Sequence, residues 1–358
     1  MLAKFVETKT IRTVGAPRSP RTRIVTSVVI VVLLGLAFAL PYLGTTSYAI
    51  SLVTTIFIAG ILASSVNFLV GDGGMASLGH GAIAAAAAYG AGWASRQGMD
   101  PGGQVLIALT MTLVVSLVFG VLSMRTSGIY FLMVTLAVGM VVYGLAYRLS
   151  SVTGGENGIT GIQRPAAIGE YWTYYYFIVG AFVVTTLILW VVSRSPFGAS
   201  LRGIRDSETR MRSLGYSVAS YRLGAFMISG TVAGFAGLLS VWHTHFVSPS
   251  AAGVHRSVLL IVMVILGGVG TTFGPLVGAA VVVLVENVLS NSIERWPTVL
   301  GLIFILVILF ARAGIVGSVQ KLFRRLLRPR SSAPPGPQDP RHPAIPPESN
   351  HTARKELQ

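Results

Sequence analysis

Eight stretches of this chain contain no Lys, Arg, Asp or Glu, and they constrain its fold more than any other feature. They are Ile24–Gly71, Gly73–Ser95, Pro101–Met124, Thr126–Tyr147, Tyr171–Ser193, Leu223–His255, Ser257–Val285 and Trp296–Ala311. A hydrocarbon core ~30 Å thick requires ~20 mostly apolar residues per spanning helix. Only 11% of the 358 residues are charged, against ~25% in an average soluble domain. We therefore predict an all-α polytopic membrane protein.

The breaks between apolar runs predict about ten transmembrane helices. The expected spans are 24–43, 48–69, 78–95, 104–124, 127–147, 174–193, 223–243, 255–269, 273–290 and 297–312. The first uncharged stretch must hold two helices, separated near Pro41. The stretch 257–285 must be divided at the glycine-rich sequence 267–275. The helix before that division is short, so it is expected either to span the membrane or to re-enter it.

The sequence divides into three parts. Residues 1–23 form a basic N-terminus, 24–312 the transmembrane domain with a polar loop at 194–222, and 313–358 a cytoplasmic tail. The run Ile24–Leu43 is too long for a signal-peptide core and lacks a small-residue cleavage site, so it is predicted to be the first spanning helix. The tail is proline-rich and polar, and we expect it to be disordered because it cannot bury a core.

The basic residues are distributed unevenly between the two sides of the predicted bundle. With the N-terminus inside, 22 of the 27 Lys and Arg residues lie on the inner side and five on the outer side. Positively charged loops mark the cytoplasmic side of a membrane protein. Both termini and the loop 194–222 are therefore predicted to be cytoplasmic, and the net charge of +15 does not indicate nucleic-acid binding.

The order of the spans allows an inverted repeat. Spans two to five and spans seven to ten would cross the membrane in opposite senses, as such a repeat requires. A short sequence echo points the same way, because Leu78-Gly-His-Gly-Ala82 is similar to Phe273-Gly-Pro-Leu-Val-Gly-Ala279. We expect either a true repeat or a chance likeness between glycine- and alanine-rich segments.

Several kinds of chemistry are excluded by what the sequence lacks. There are no cysteines, which excludes disulfides, thiolate metal sites and cysteine nucleophiles. No Gly-Lys pair occurs, so there is no P-loop to hold the phosphates of ATP. The histidines are scattered, and no metal site or cofactor is expected. The chain is therefore predicted not to be an enzyme.

The polar loop is the segment most typical of a docking element. Leu201, Ile204, Met211 and Leu214 follow a helical period, interrupted by the polar stretch 205–210. A structured loop with an apolar stripe suits a groove on a partner protein. The alternative is a helix lying on the membrane surface, where its arginines would contact anionic lipid. The residues alone do not decide between the two.

Four segments together resemble one family, the Liv-type branched-chain amino acid ABC transporter permeases, in particular the LivM-like subunit. The loop resembles that family's coupling segment, Ser-Pro-Phe-Gly-x-x-Leu-x-x-Ile-Arg-(Asp/Glu)-x-Glu ending in Leu-Gly. The other segments are Gly74-Met-Ala-Ser-Leu-Gly-His-Gly-Ala82, the run from Arg125 to Ala137 continuing to Thr153-Gly-Gly-Glu-Asn-Gly-Ile-Thr-Gly161, and the run from Val264 to Ala279. They cover roughly residues 50–292 in the family's order.

The resemblance implies the permease of a type II ABC importer in the bacterial plasma membrane, with ATP used by a partner subunit. It also implies three partners: a LivH-like second permease, cytoplasmic ABC ATPase subunits and an extracytoplasmic solute-binding protein. The residues implied in ATPase coupling are Arg202, Ile204, Arg205, Asp206, Glu208, Leu214 and Gly215. This chain departs from the family at Arg210 and Met211, where two alanines are common, so the groove of its ATPase is expected to be specialised.

Polar residues inside the predicted spans are candidates to line a transport pathway. These candidates are Asn67, Ser77, His80, Thr135, Glu286 and Asn287. An ionisable group in a span is costly and is expected to face the bundle interior or water. Glu286 is expected either to face the pathway or to extend toward the outer helix end. His80 is expected either in the pathway or as a neutral ring bonded to a nearby backbone carbonyl.

The outer loop 153–161 contains the candidates for docking a solute-binding protein. Gly155, Glu156 and Asn157 are these candidates, and the alternative is an ordinary flexible turn. Branched-chain or other neutral amino acids are the substrates that the family resemblance implies. Urea or short amides are the first alternative, and a proton-coupled secondary transporter using His80 or Glu286 is the second.

The orientation predicted from the charge distribution can be tested with introduced cysteines, because the native chain has none. Ser207→Cys in the polar loop should react with an impermeant maleimide only from the cytoplasmic side. Asn157→Cys in the outer loop should react only from outside. The opposite labelling pattern would contradict the predicted topology.

Overall fold

The computed structural model describes residues 46–289, 296–310 and 314–318. Nine of the predicted spans fall on helices in these ranges. The first predicted span, the N-terminus 1–23 and most of the tail 313–358 lie outside the described residues. The helices are α1 Ser47–Gly71, α2 His80–Arg96, α3 Pro101–Ser123, α4 Ile129–Arg148, α5 Ser150–Thr153, α6 Tyr171–Arg194, α7 Pro196–Asp206, α8 Glu208–Ser213, α9 Val218–Thr244, α10 Val254–Gly267, α11 Gly274–Leu289 and α12 Trp296–Phe310.

Five of these helices are long and apolar enough to cross a membrane: α1, α3, α4, α6 and α9. Short elements lie in the connections. Three 3-10 turns occur at Gly155–Asn157, Ala166–Ile168 and Pro249–Ala252. Strands β1 (Ile159–Thr160) and β2 (Phe246–Val247) pair antiparallel, with Ile159 opposite Val247. We call the end of the bundle that carries α7 and α8 the hairpin end, and the end that carries β1 and β2 the ribbon end.

Helix α9 packs closely against α2 and α3 through small residues. A methyl group at Gly237 would overlap the backbone carbonyl of Ala84 in α2. One at Gly234 would overlap the Thr112 side chain in α3, and one at Gly230 would overlap Ser116 in the same helix. In lipid, helices associate largely through such close van der Waals contact, since hydrocarbon tails are as apolar as leucine. The spacing 230, 234 and 237 places all three glycines on one face of α9. This face builds the centre of the bundle.

Helices α2 and α10 both begin inside the bundle. The loop before α2 is partly buried, and its Leu78 amide donates to Thr135 Oγ1 in α4. The 3-10 turn before α10 packs on the start of α2, because Gly81 lies against Ser257 and the Ala251 carbonyl. Irregular backbone is tolerated at membrane depth where protein covers it. At 17 and 14 residues, the two helices are ~26 Å and ~21 Å long, less than a full hydrocarbon core.

The two halves of the bundle use equivalent contacts. Helix α1 packs on α11, as α9 packs on α3, and the pair α2–α3 corresponds to α10–α11. This is the pairing expected when residues 47–148 and 218–310 are related as an inverted repeat. The sequence echo, however, was misleading: 78–82 leads into α2, whereas 273–279 leads into α11, so the two segments do not occupy equivalent positions.

The close contact of α9 with α2 predicts a sharp size limit at Gly237. Gly237→Ala should destabilise the bundle by about 1–3 kcal/mol, because the added methyl group must push two helix backbones apart. The matched control is Gly180→Ala in α6, where an added methyl group meets nothing within 4 Å. Unfolding of the purified proteins in detergent measures both. Equal stability of Gly237→Ala and wild type would contradict the contact.

Candidate functional site

Helices α7 and α8 form a hairpin whose start and break follow from local capping. Ser195 Oγ accepts a hydrogen bond from the Gly198 amide, and Pro196 occupies the first helical turn. These are preferred residues at a helix start. Ser207 is extended, with φ −161°, and its Oγ accepts from the Arg210 amide at the start of α8. The polar stretch in the loop therefore separates two helices.

The apolar side chains of the hairpin point mostly inward. Ile204, Met211 and Val218 form a small buried cluster against Tyr221, and Leu201 belongs to the main core. The Met211 sulfur lies beside Gly203, so Met211 fills the gap between the two helices. Ile204 therefore supports the hairpin from within and presents no side chain to a partner. Leu214 is the exposed member of the predicted stripe, at 65%.

An ion pair joins the hairpin to the loop before α2. Arg202 Nη1 lies 2.7 Å from Asp72 Oδ1 and also donates to the Ser193 carbonyl at 2.6 Å. Ser193 Oγ donates to the same carboxylate oxygen at 2.9 Å. Arg205 donates to the Gly71 carbonyl and pairs with Asp206. Two arginines of α7 thus hold the end of α1 and the beginning of the following loop.

Glu208 joins the second helix of the hairpin to α9. Its carboxylate pairs with Arg212 and with Arg222, each at 2.7 Å, and Arg222 is only 8% exposed. Partial burial alone raises the pKa of Glu208, but the hydrogen bonds and charges of Arg212 and Arg222 outweigh it, so the pKa is lowered. Glu208 is therefore the counter-ion of a buried arginine, and its part in ATPase coupling stays a prediction.

The hairpin ends on a left-handed glycine. Gly215 has φ +85°, its amide donates to the Arg212 carbonyl, and the Tyr216 amide donates to the Met211 carbonyl. These two bonds form a Schellman motif, in which the residue after the cap adopts φ > 0. Gly215 is therefore the residue that terminates the second helix of the hairpin.

His80 lies in a hydrogen-bonded chain at the start of α2. Its Nδ1 is 3.1 Å from Ser77 Oγ and its Nε2 is 2.8 Å from Ser229 Oγ, while Ser229 donates to the Ser65 carbonyl. Because Ser229 uses its proton on that carbonyl, Nε2 must donate and Nδ1 must accept. A neutral ring thus satisfies every group. The expected backbone partner is replaced by two serine hydroxyls.

The remaining pathway candidates bond within the protein. Thr135 accepts from the Leu78 amide. Asn67 holds the glycine-rich turn between α10 and α11, accepting from the Gly270 amide and donating to the Thr271 carbonyl. Asn67 and Asp72 also line an open cavity of about 60 Å³ at the hairpin end. Whether any of these residues contacts a solute stays a prediction.

The last two pathway candidates lie on α11, away from His80. Glu286 is 3.9 Å from Arg256 at the start of α10, and both side chains are about one-third exposed. Asn287 donates to the Val283 carbonyl one turn earlier. The pairing with Arg256 balances the Glu286 charge without a solute.

The docking candidates at the ribbon end belong to a folded loop. Gly155 is buried in a 3-10 turn, whereas Glu156 and Asn157 are exposed. The adjoining residues pair with β2, and Tyr147 donates to Glu156. The segment is therefore a turn held by hydrogen bonds beside the paired strands, and its role in docking a binding protein stays a prediction.

Sequence analysis missed three residues that organise the site: Asp72, Arg222 and Ser229. Asp72 carried a usable signal, since it is the single charge between two long uncharged stretches. Such an isolated charge at a helix end requires a partner or water. Arg222 and Ser229 carried no comparable signal, because their partners are distant in sequence.

The bundle contains five helices long and apolar enough to cross a membrane, and comparison with known proteins places the chain in a family. Residues 48–312 match the family described as branched-chain amino acid transport system, permease component. The chain belongs to this family and is a multi-pass membrane protein. No solved structure matches it significantly.

Curated proteins similar to this chain include LivM permeases and an autoinducer 2 permease. The chain is 30% identical to the high-affinity branched-chain amino acid transport system permease protein LivM of Escherichia coli (strain K12), over 80% of this chain and 74% of that protein. It is 25% identical to a probable LivM of Methanocaldococcus jannaschii over 52% of this chain and 55% of that protein. It is 26% identical to the autoinducer 2 import system permease protein LsrC of Salmonella typhimurium, over 43% of this chain and 47% of that protein.

The Schellman motif predicts that residue 215 tolerates only side chains that adopt φ > 0. Gly215→Val should disorder the end of the hairpin, because a β-branched residue is strongly disfavoured there. Gly215→Asn is the matched control, since asparagine adopts this conformation readily. Limited proteolysis at the hairpin in lipid nanodiscs compares them. Equal protection of the Val and Asn variants would contradict the role of backbone conformation.

Proposed function

We propose that this protein is the permease subunit of an ABC importer for branched-chain amino acids in the bacterial plasma membrane, with both termini in the cytoplasm. A separate ATPase supplies the energy, and this chain uses no cofactor of its own. The proposal is supported by family membership, by the LivM relatives and by the charge distribution. The comparisons do not favour the urea, short-amide or proton-coupled alternatives.

The observation that carries the mechanism is the attachment of the hairpin to the loop before α2. Arg202 forms an ion pair with Asp72 at one end of the segment 72–79. At the other end, buried His80 is hydrogen-bonded to Ser229 of α9. A displacement of the hairpin is thereby passed to the start of α2, inside the bundle. In the proposed mechanism, the hairpin and α2 move between two arrangements, and a small shift of the hairpin becomes a rigid-body movement of α2.

The ATPase subunits dock on the exposed side of the hairpin. Leu214 provides an apolar contact there, and Arg205, Asp206 and Arg210 provide charges around it. Arg202, Ile204, Glu208 and Gly215 act from within, by holding the hairpin's shape. ATP binding drives transport because the ATPase binds one arrangement of the hairpin better than the other.

The other partners meet different surfaces. The solute-binding protein docks at the ribbon end, where Glu156 and Asn157 are exposed beside the paired strands. A LivH-like permease completes the translocation pathway. Large apolar side chains on α3, α4 and α6 are exposed, so these helices face lipid or that second permease.

Asp72 and Arg202 are predicted to couple ATP hydrolysis to transport. Asp72→Arg should lower leucine uptake about tenfold or more, because a charge-assisted hydrogen bond contributes about 1.5–3 kcal/mol. Uptake and ATP hydrolysis are measured together in proteoliposomes containing the ATPase and binding protein. Hydrolysis and co-purification of the ATPase should persist, since the docking face is unchanged.

The charge swap Asp72→Arg with Arg202→Asp is the decisive variant, and it should recover part of the lost uptake. Glu170→Gln, which removes an exposed carboxylate outside the hairpin that makes no capping hydrogen bond, is the control for charge alone and should transport normally. Undiminished leucine uptake by the Asp72→Arg variant would show that the Asp72–Arg202 ion pair does not couple ATP hydrolysis to transport. Absence of leucine, isoleucine and valine uptake by the wild-type importer would contradict the proposed substrate.

A further inference from the structure

Arg164 lies at the ribbon end, in the loop between β1 and α6, and no carboxylate among the described residues forms an ion pair with it. Arg164 Nη2 is 3.0 Å from His245 Nε2, and the guanidinium carbon lies 4.7 Å from the centre of the Tyr174 ring. Its other terminal nitrogen, Nη1, is buried and has no hydrogen-bond partner. A buried donor left unpaired is unusual in a folded protein and calls for a physical explanation.

Arg164 differs from the other buried or half-buried arginines of the described helices and loops. Arg202 pairs with Asp72, and Arg222 pairs with Glu208. Among the residues that the structure describes, no carboxylate forms an ion pair with Arg164. Arg164 is half-buried, and a cation partly removed from water without a counter-ion favours an incoming anion.

His245 is arranged to orient Arg164. Its Nδ1 is 2.7 Å from the Ile162 carbonyl, which can only accept, so Nδ1 carries the proton and Nε2 accepts from Arg164. The ring is then neutral and adds no charge. His245 is also the one non-glycine residue with positive φ in the described ranges, at 56°. Such strained backbone clusters at functional sites.

The surroundings connect Arg164 to three helices of the bundle. Tyr174 of α6 stacks on His243 of α9, with ring centres 6.0 Å apart and planes 5° apart. His243 Nε2 in turn lies 3.3 Å from the hydroxyls of Ser51 and Thr55 in α1. The arginine therefore lies at the ends of α6 and α9, and His243 connects this place to α1.

We propose that Arg164 binds a small carboxylate, the α-carboxylate of the amino acid substrate, at the ribbon end of the permease; this rests on the proposed function. The free Nη1 supplies one donor, and Nη2 supplies a second when it leaves His245, which gives the bidentate geometry that arginine forms with carboxylates. Because Nη1 is sealed from solvent, a carboxylate fixed on another protein's surface does not reach it. A small ligand does so when the ends of α1, α6 and α9 separate.

The test measures binding of L-leucine and L-leucinamide to the purified full-length permease in nanodiscs. Wild type should bind leucine roughly tenfold or more tightly than leucinamide, because the amide cannot accept a charge-assisted bidentate bond. Arg164→Gln should abolish this preference, and Arg164→Lys, which keeps the charge without the planar fork, should retain part of it. Arg148→Gln, an exposed arginine at the same end of the bundle, is the control and should behave as wild type.

Leucine binding by Arg164→Gln that equals wild type would overturn the site, and so would equal affinity of the wild type for leucine and leucinamide. Failure to detect leucine binding in a permease whose importer takes up leucine would also overturn it. If Arg164→Gln does not fold, the wild-type comparison and Arg164→Lys decide. Leucine uptake by the complete importer is measured separately, and its absence would contradict the proposed function instead.

Discussion

The close approach of α9 to α2 is the contact on which the other features of this bundle depend. Gly230, Gly234 and Gly237 let α9 lie directly against α2 and α3. That approach brings Ser229 within hydrogen-bonding distance of His80 and fixes the start of α2 inside the bundle. Since lipid does not hydrogen-bond exposed backbone, an internal helix start requires such a polar cover. The small residues of α9 and the network around His80 are therefore parts of one arrangement.

The segment 72–79 connects this centre to the hairpin end. At one end Asp72 is bonded to Arg202 and Ser193, and at the other Leu78 and His80 are bonded to α4 and α9. The hairpin itself is stabilised by a buried apolar cluster and by the Glu208–Arg222 pair. In the proposed importer mechanism, a hairpin held by these contacts passes its movement to the segment 72–79, whereas a loose surface helix would not.

The sequence predicted the helices well and the long-range contacts poorly. Uncharged runs give helix positions directly, and the predicted span 223–243 differs from α9 mainly by one extra turn at its start. Helical periodicity identified the stripe containing Ile204 and Leu214 but not its direction, because periodicity shows that two residues share a face and not what covers it. The Asp72–Arg202 and Glu208–Arg222 ion pairs join residues of different elements, and local sequence patterns do not reveal such contacts. The positive φ of Gly215 is a local feature, because a glycine that follows the end of a helix commonly adopts the left-handed conformation.

The most direct test of the account is photo-crosslinking from Leu214, the exposed apolar residue of the hairpin. A photoreactive amino acid at this position, in the assembled complex in native-like lipid, should form an adduct with the ATPase subunit. The yield should change between the nucleotide-free and ATP-bound states, since the ATPase is proposed to move the hairpin. Adducts with lipid alone, in both states, would contradict the account and show that the hairpin is a membrane-surface helix.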